Sequence, residues 1–231
     1  MQRFIGVVAL AAVLGPPHAK AQSPAARTVE LNGRILILEK DNKPSPDLGD
    51  AVLYLEASAL PAAVARPVNV EIAITDKTYA PHVVVVPVGS AVRFPNHDPF
   101  NHNVFSLSEP NQFDLGLYGR GEAKSQTFAN PGLVRVYCNV HPRMVAYVQV
   151  MGNRYFTQPG ADGSFTLANV PPGQYRLHVW HERIPTEVVT DVTAGSGDPL
   201  QITLDARGYR WEPHRNKYEK NYPTNAGRER Y

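Results

Sequence analysis

From Val29 onward, apolar residues recur at every second position in short runs. VELNGRILIL, AVLYLEA, VNVEIAI, HVVVVPV, AVRFPN, HNVFSLS, LVRVYC, VAYVQVM, GSFTLANV, QYRLHVWH and LQITLD are rich in β-branched and aromatic residues and are punctuated by Gly, Pro, Asn and Asp. A period of two places alternate side chains on one face of an extended strand, so each run predicts a half-buried strand. No segment holds a 3.6-residue period over three turns, and 21 prolines work against long helices. Short strands at this spacing predict an all-β chain of sandwiches or barrels.

Two seams interrupt the pattern. SALPAAVARP (58–67) is Ala/Pro-rich, and MGNRYFTQPGADG (151–163) gathers turn residues between strand runs. They divide the chain into an N-terminal β segment (22–67), a central domain (68–152), a C-terminal β domain (153–205) and a tail (206–231). The tail has aromatic and basic residues without periodicity, which predicts disorder or loose docking, with His214 in solvent.

The first 21 residues follow another rule. Arg3, the apolar run FIGVVALAAVLG and Ala19-Lys20-Ala21 have the order of a secretory signal peptide with its cleavage site. That run is too short for a membrane span, which needs roughly 20 residues. The expectation is export to the periplasm, with no membrane insertion. Without Arg3 and Lys20 the 23 basic side chains fall to 21, matching the 21 acidic ones. The last 26 residues carry seven Lys or Arg against three Glu, so the charge is split between body and tail. An acidic body with one short basic tail is not the footprint of a nucleic-acid-binding domain.

Export makes the cysteine count informative. Cys138 is the only cysteine, and an unpaired thiol in an oxidising compartment points to reactivity, an intermolecular bridge or a metal. It sits in VYCNVHPRM, with His141 three residues on and Met144 six on. Side chains alternate along a strand, so these three converge only if the chain leaves the strand after Cys138, and Pro142 favours that loop. Thiolate, imidazole and thioether, with a second imidazole, make the trigonal set of blue copper. In FPNHDPFNHNVFSLS the candidates for the second imidazole are His102, just ahead of a strand, and its competitor His97. Zinc is the rival metal, but a thioether suits it poorly. His178 and His181 in HVWH are three apart and face opposite sides of a strand, which argues against a second site there.

The blocks Val88-Gly89 to Asn96, His102-Asn103-Val104-Phe105 and Tyr137 to Met144 resemble a plastocyanin-type cupredoxin, with a short C-x-x-H-P-x-M loop like that of amicyanin. The whole chain resembles bacterial periplasmic proteins of the methylamine-utilisation type. The resemblance implies a Greek-key sandwich holding one type 1 copper on His102, Cys138, His141 and Met144. It further implies that Asn103 hydrogen-bonds the cysteine loop, and that His141 lies nearest solvent, where a redox partner docks. Arg143 departs from the apolar residue usual in that loop, which puts a charge on the docking face. ADGSFTLANVPPGQYRLHVWH resembles the second half of a carboxypeptidase-regulatory-like, or transthyretin-like, sandwich. LNGRILILEKDNKPSPDLGDAVLYLE looks like its first half, so this second, small sandwich is expected to be discontinuous around the cupredoxin. Contacts of Val52 or Leu55 with residues 165–180 test that arrangement; the alternative places 29–56 in the cupredoxin sheet. The expected function is single-electron transfer without catalysis. The alternatives are copper delivery without redox turnover, and an interaction protein with a relic site.

Overall fold

The computed structural model describes residues 27–56 and 65–222. The expected signal peptide, most of the Ala/Pro-rich seam and the end of the tail lie outside the described residues. The strands in chain order are β1 Val29–Leu38, β2 Val52–Leu55, β3 Asn69–Glu71, β4 Ala73–Thr75, β5 Thr78–Ala80 and β6 Val83–Pro87. Then come β7 Ala91–Pro95, β8 His102–Ser106, β9 Phe113–Tyr118, β10 Ala123–Thr127, β11 Gly132–Tyr137 and β12 Val145–Met151. The last are β13 Phe156–Thr157, β14 Ser164–Val170, β15 Gly173–Trp180, β16 Val188–Ala194 and β17 Leu200–Asp205. Two short 3-10 turns, Lys40–Asn42 and Leu48–Asp50, are the described helical elements, and none is long and apolar enough to cross a membrane. The chain is all-β.

Two apolar cores organise these strands. One lies between the sheet β6-β12-β11-β8-β9 and the sheet β10-β7-β3, and contains Ile72, Phe94, Val104, Phe128, Val136 and Val148. The other lies between β14-β1-β17 and β13-β2-β15-β16, and contains Ile35, Ile37, Leu53, Leu55, Leu167 and Leu177. Its members come from both ends of the chain. β1 pairs antiparallel with β14 and parallel with β17, while β2 pairs with β15 through Leu55↔Leu177 and Trp180↔Val52. We read these pairings as one sandwich, built from residues 29–55 and 155–206, into which the other is inserted.

The local reasons are visible in β1. Leu31, Ile35 and Ile37 fall on alternate positions and are 4%, 2% and 0% exposed. Each such side chain removed from water contributes roughly 1.5–3 kcal/mol. Gly33 lies between them because a Cβ there would stand 2.6 Å from the Leu200 carbonyl oxygen of the neighbouring strand. The turn-rich stretch 151–163 is less irregular than expected: it contains β13, which pairs Phe156 with Tyr54.

The tail is the larger departure. Residues 206–222 form no strand, yet they lie against the central sandwich, and His214 is not in solvent. Its ring stacks on Tyr137 at 4.2 Å and 17° and meets Phe105 edge-on at 6.2 Å. Aromatic contacts hold this segment, and such contacts leave no periodic trace in a sequence.

Candidate metal centre

Two strand ends and one loop build the site. His102 opens β8, whose five residues HNVFS are all buried. β8 lies between β9 and β11 in its sheet, so its first side chain has protein on both flanks. Cys138 is the first residue after β11, and the chain returns at Val145 into β12, which pairs with β11 from Tyr137↔Val145 to Gly132↔Val150. Residues 138–144 are therefore the closed end of a hairpin. The Met144 amide donates to the His141 carbonyl at 3.2 Å, and the Cys138 amide donates to the Met144 carbonyl at 3.4 Å.

This fold brings three donors together. The ligand atoms of His102, Cys138 and His141 all lie within 4.8 Å of one another. Cys138 Sγ is 3.8 Å from His102 Nδ1 and 3.6 Å from His141 Nδ1. The two imidazole centroids are 4.7 Å apart. Met144 is buried in the same apolar cluster as Cys138. Exposure is 0% for His102 and Cys138, 1% for Met144 and 8% for His141. His141 is the most exposed of the four, though still buried. His97 is exposed and lies outside the group.

Asp98 sets the chemistry of His102. The His102 Nε2–H donates to Asp98 Oδ2 at 2.8 Å, which leaves the Nδ1 lone pair facing the sulfur. Burial, and after it the neighbouring His141, lowers the pKa of His102 although Asp98 acts the other way. That direction favours the neutral ring, the form in which imidazole binds a metal. Burial opposes the ionisation of Asp98, but the amides of Lys77 and Asp76 and the His102 ring together hold it below the usual carboxylate range. Those amides donate at 2.9 and 2.7 Å. The sequence reading passed over this aspartate, although an acid four residues before a candidate ligand was its available signal.

Asn103 does something other than expected. Its Nδ2 donates to Asp114 Oδ1 at 2.7 Å, and its buried Oδ1 has no hydrogen-bond partner, so the side chain does not bond the cysteine loop. The register between β8 and β9 shifts between Asn103 and Phe105, and a carboxylate is a stronger acceptor than a neutral carbonyl.

The tail also reaches the site. Tyr222 Oη donates to the Cys138 carbonyl at 2.7 Å, and the Lys217 amide donates to Asn139 Oδ1 at 3.0 Å. Arg143 places its guanidinium 5.2 Å from the centre of the Trp211 ring, so the charge unusual for this loop is engaged by the tail. Nothing in the sequence alone tied the tail to the loop.

A thiol, two Nδ1 lone pairs and a buried thioether on one short loop and an adjoining strand fit copper by donor chemistry. Among known families, the model of polysaccharide lyase family 4, domain II matches residues 138–200. That stretch runs from the ligand loop into the second sandwich, and the match is to neither a cupredoxin nor a carboxypeptidase-regulatory-like family. No curated protein matches. Similar solved structures are cupredoxins or contain them. A copper-containing nitrite reductase from Thermus scotoductus SA-01 is 28% identical with a TM-score of 0.35; the alignment covers 42% of this chain and 26% of that one. The chain thus spans about a quarter of that enzyme's length. A purple cupredoxin from Nitrosopumilus maritimus is 26% identical with a TM-score of 0.32, covering 35% of this chain and 98% of that one. Amicyanin from Paracoccus versutus is 23% identical with a TM-score of 0.32, covering 42% and 91%.

Proposed function

We propose that the chain is a periplasmic type 1 copper protein that carries single electrons between redox partners. The observation that carries the reading is the convergence of His102 Nδ1, Cys138 Sγ and His141 Nδ1 within 4.8 Å, with Met144 buried beside them on the loop. His102, Cys138, His141 and Met144 would hold the ion, one per chain. Bound copper supplies a one-electron couple whose potential follows the axial ligand and the surroundings of the sulfur.

The protein's own part is to keep the donors in place. β8 and the β11–β12 hairpin fix the strand ends, Asp98 fixes the His102 tautomer, and the apolar cluster excludes water. A rigidly held donor set limits rearrangement on each transfer. Burial of all four side chains favours a carrier over a catalyst, and it opposes a delivery role, which needs exposed ligands. The expected signal peptide supports the periplasmic assignment.

The test is the visible absorption and EPR spectrum of the Cu(II)-loaded protein beside its Cys138→Ser variant. The expected result is an intense thiolate-to-copper band that is lost in the variant. A colourless loaded protein, or a spectrum indifferent to Cys138, would overturn the reading.

A further inference from the structure

The segment from Trp211 to Tyr222 is covalently distant from the ligand loop but touches it repeatedly. It has no ladder hydrogen bonds of its own, so its side chains and the Lys217 amide hold it in place. Asn216 stiffens its centre: the Asn216 Oδ1 accepts from the amides of Tyr218 and Lys220 at 2.9 and 3.1 Å. From that turn, Lys217 reaches two parts of the site. Its amide donates to Asn139 Oδ1 on the ligand loop, and its Nζ bonds Asp114 Oδ2 at 2.7 Å. Asp114 in turn receives Asn103, the neighbour of His102 on β8. One lysine therefore ties the loop bearing Cys138 and His141 to the strand bearing His102. Tyr222 makes the second attachment, at the Cys138 carbonyl itself. His214, stacked on Tyr137, fills the space beside the loop between them.

We propose that Trp211–Tyr222 is a wall of the metal centre, with Tyr222 and Lys217 as positioning residues for its ligand loop. The proposal rests on the copper reading above. Groups that hold ligands and shut out solvent govern metal retention and potential. An approaching redox partner then meets this segment, where Trp211 and Tyr218 are 45% and 67% exposed, and not a bare His141 edge.

The experiment compares the full-length Cu-loaded protein with Tyr222→Phe and Lys217→Met. Three quantities are read: copper loss to an excess chelator, the reduction potential, and the EPR copper hyperfine splitting. Thermal midpoints of the apo proteins show whether either variant merely disturbs folding. The expected result is copper loss about tenfold faster in each variant, with a displaced potential and hyperfine splitting and little change in the apo midpoint. A wild-type spectrum with the thiolate band, and variants with unchanged loss, potential and splitting, would overturn the proposal and leave the copper reading standing. Faster loss with unmoved potential and splitting marks a structural anchor and also overturns the positioning role. A wild type without the thiolate band removes the copper reading, and this proposal with it.

Discussion

Asp98 shows how much one side chain outside the ligand set controls. Its two carboxylate oxygens accept from the Asp76 and Lys77 amides and the His102 ring, while its own amide donates to Asn96 Oδ1 at 2.9 Å. Asn at this position keeps the shape but turns one acceptor into a donor, set against the Asp76 amide in one orientation and against the Lys77 amide and the imidazole in the other. Asp98→Asn is therefore expected to weaken copper binding by about 10- to 100-fold while keeping the thiolate band, measured by competition with a chelator. Unchanged affinity would mean that β8 alone orients His102. The candidate donors were legible in the sequence because three of them share one seven-residue loop, where spacing and chemistry are read together. Asp98, Tyr222 and the true partner of Asn103 were not. Their roles come from a loop conformation, a segment 84 residues downstream and a register shift, none of which a period can encode.

At the scale of elements, the alternation read along the chain survives in the burial of β1, β15 and β17, because one face of each must meet a core, whereas β8 is buried along its whole length. Which strands pair is a different matter. β1 finds its parallel partner β17 more than 160 residues later, and only the half-sandwich character of each end hinted at it. β13 was hidden because two residues cannot display a period. The central place of β1 between β14 and β17 makes Ile37, fully buried, a probe of the end-built sandwich. Ile37→Ala is expected to cost about 2–5 kcal/mol. The loss should fall unevenly: amide exchange should quicken in Ser164–Val170 and Leu200–Asp205 and stay slow in Val83–Pro87 and Val145–Met151. Equal acceleration in both cores would show that they open as one unit.

Over the whole molecule, the two sandwiches are joined by more than their connecting chains. His82, just before β6 in the inserted sandwich, meets Glu182, just after β15 in the other, with Nε2 to Oε1 at 2.8 Å. Tyr147 packs against both His82 and Trp180, at 5.3 and 5.2 Å. Burial opposes the charge on His82, but the Glu182 bond and then the charges of Glu182 and Asp50 outweigh it and raise its pKa above the ordinary 6.5. Glu182 moves the opposite way: burial again opposes ionisation, and the His82 bond and charge prevail, taking it below 4.5. A raised base stabilises fully below its unfolded pKa, and that contribution disappears as pH climbs through the folded one. The lowered acid contributes fully above 4.5 and loses its share only as pH falls through its folded value. The pair is therefore complete from 4.5 to 6.5 and weakens above 6.5. His102, His181 and His214 are all lowered, chiefly by burial, so their linkage acts below 6.5. The pair is partly buried, with side chains 28% and 14% exposed, and its loss is expected to cost on the order of 1 kcal/mol. Denaturant unfolding of the apo protein between pH 6 and pH 9, set against His82→Gln, isolates this contribution because other titrating groups are common to both. The stability gap between the two proteins should be widest near pH 6 and close toward pH 9. A gap constant across that range would assign the junction to the packing of Tyr147 and Trp180 and not to the ion pair.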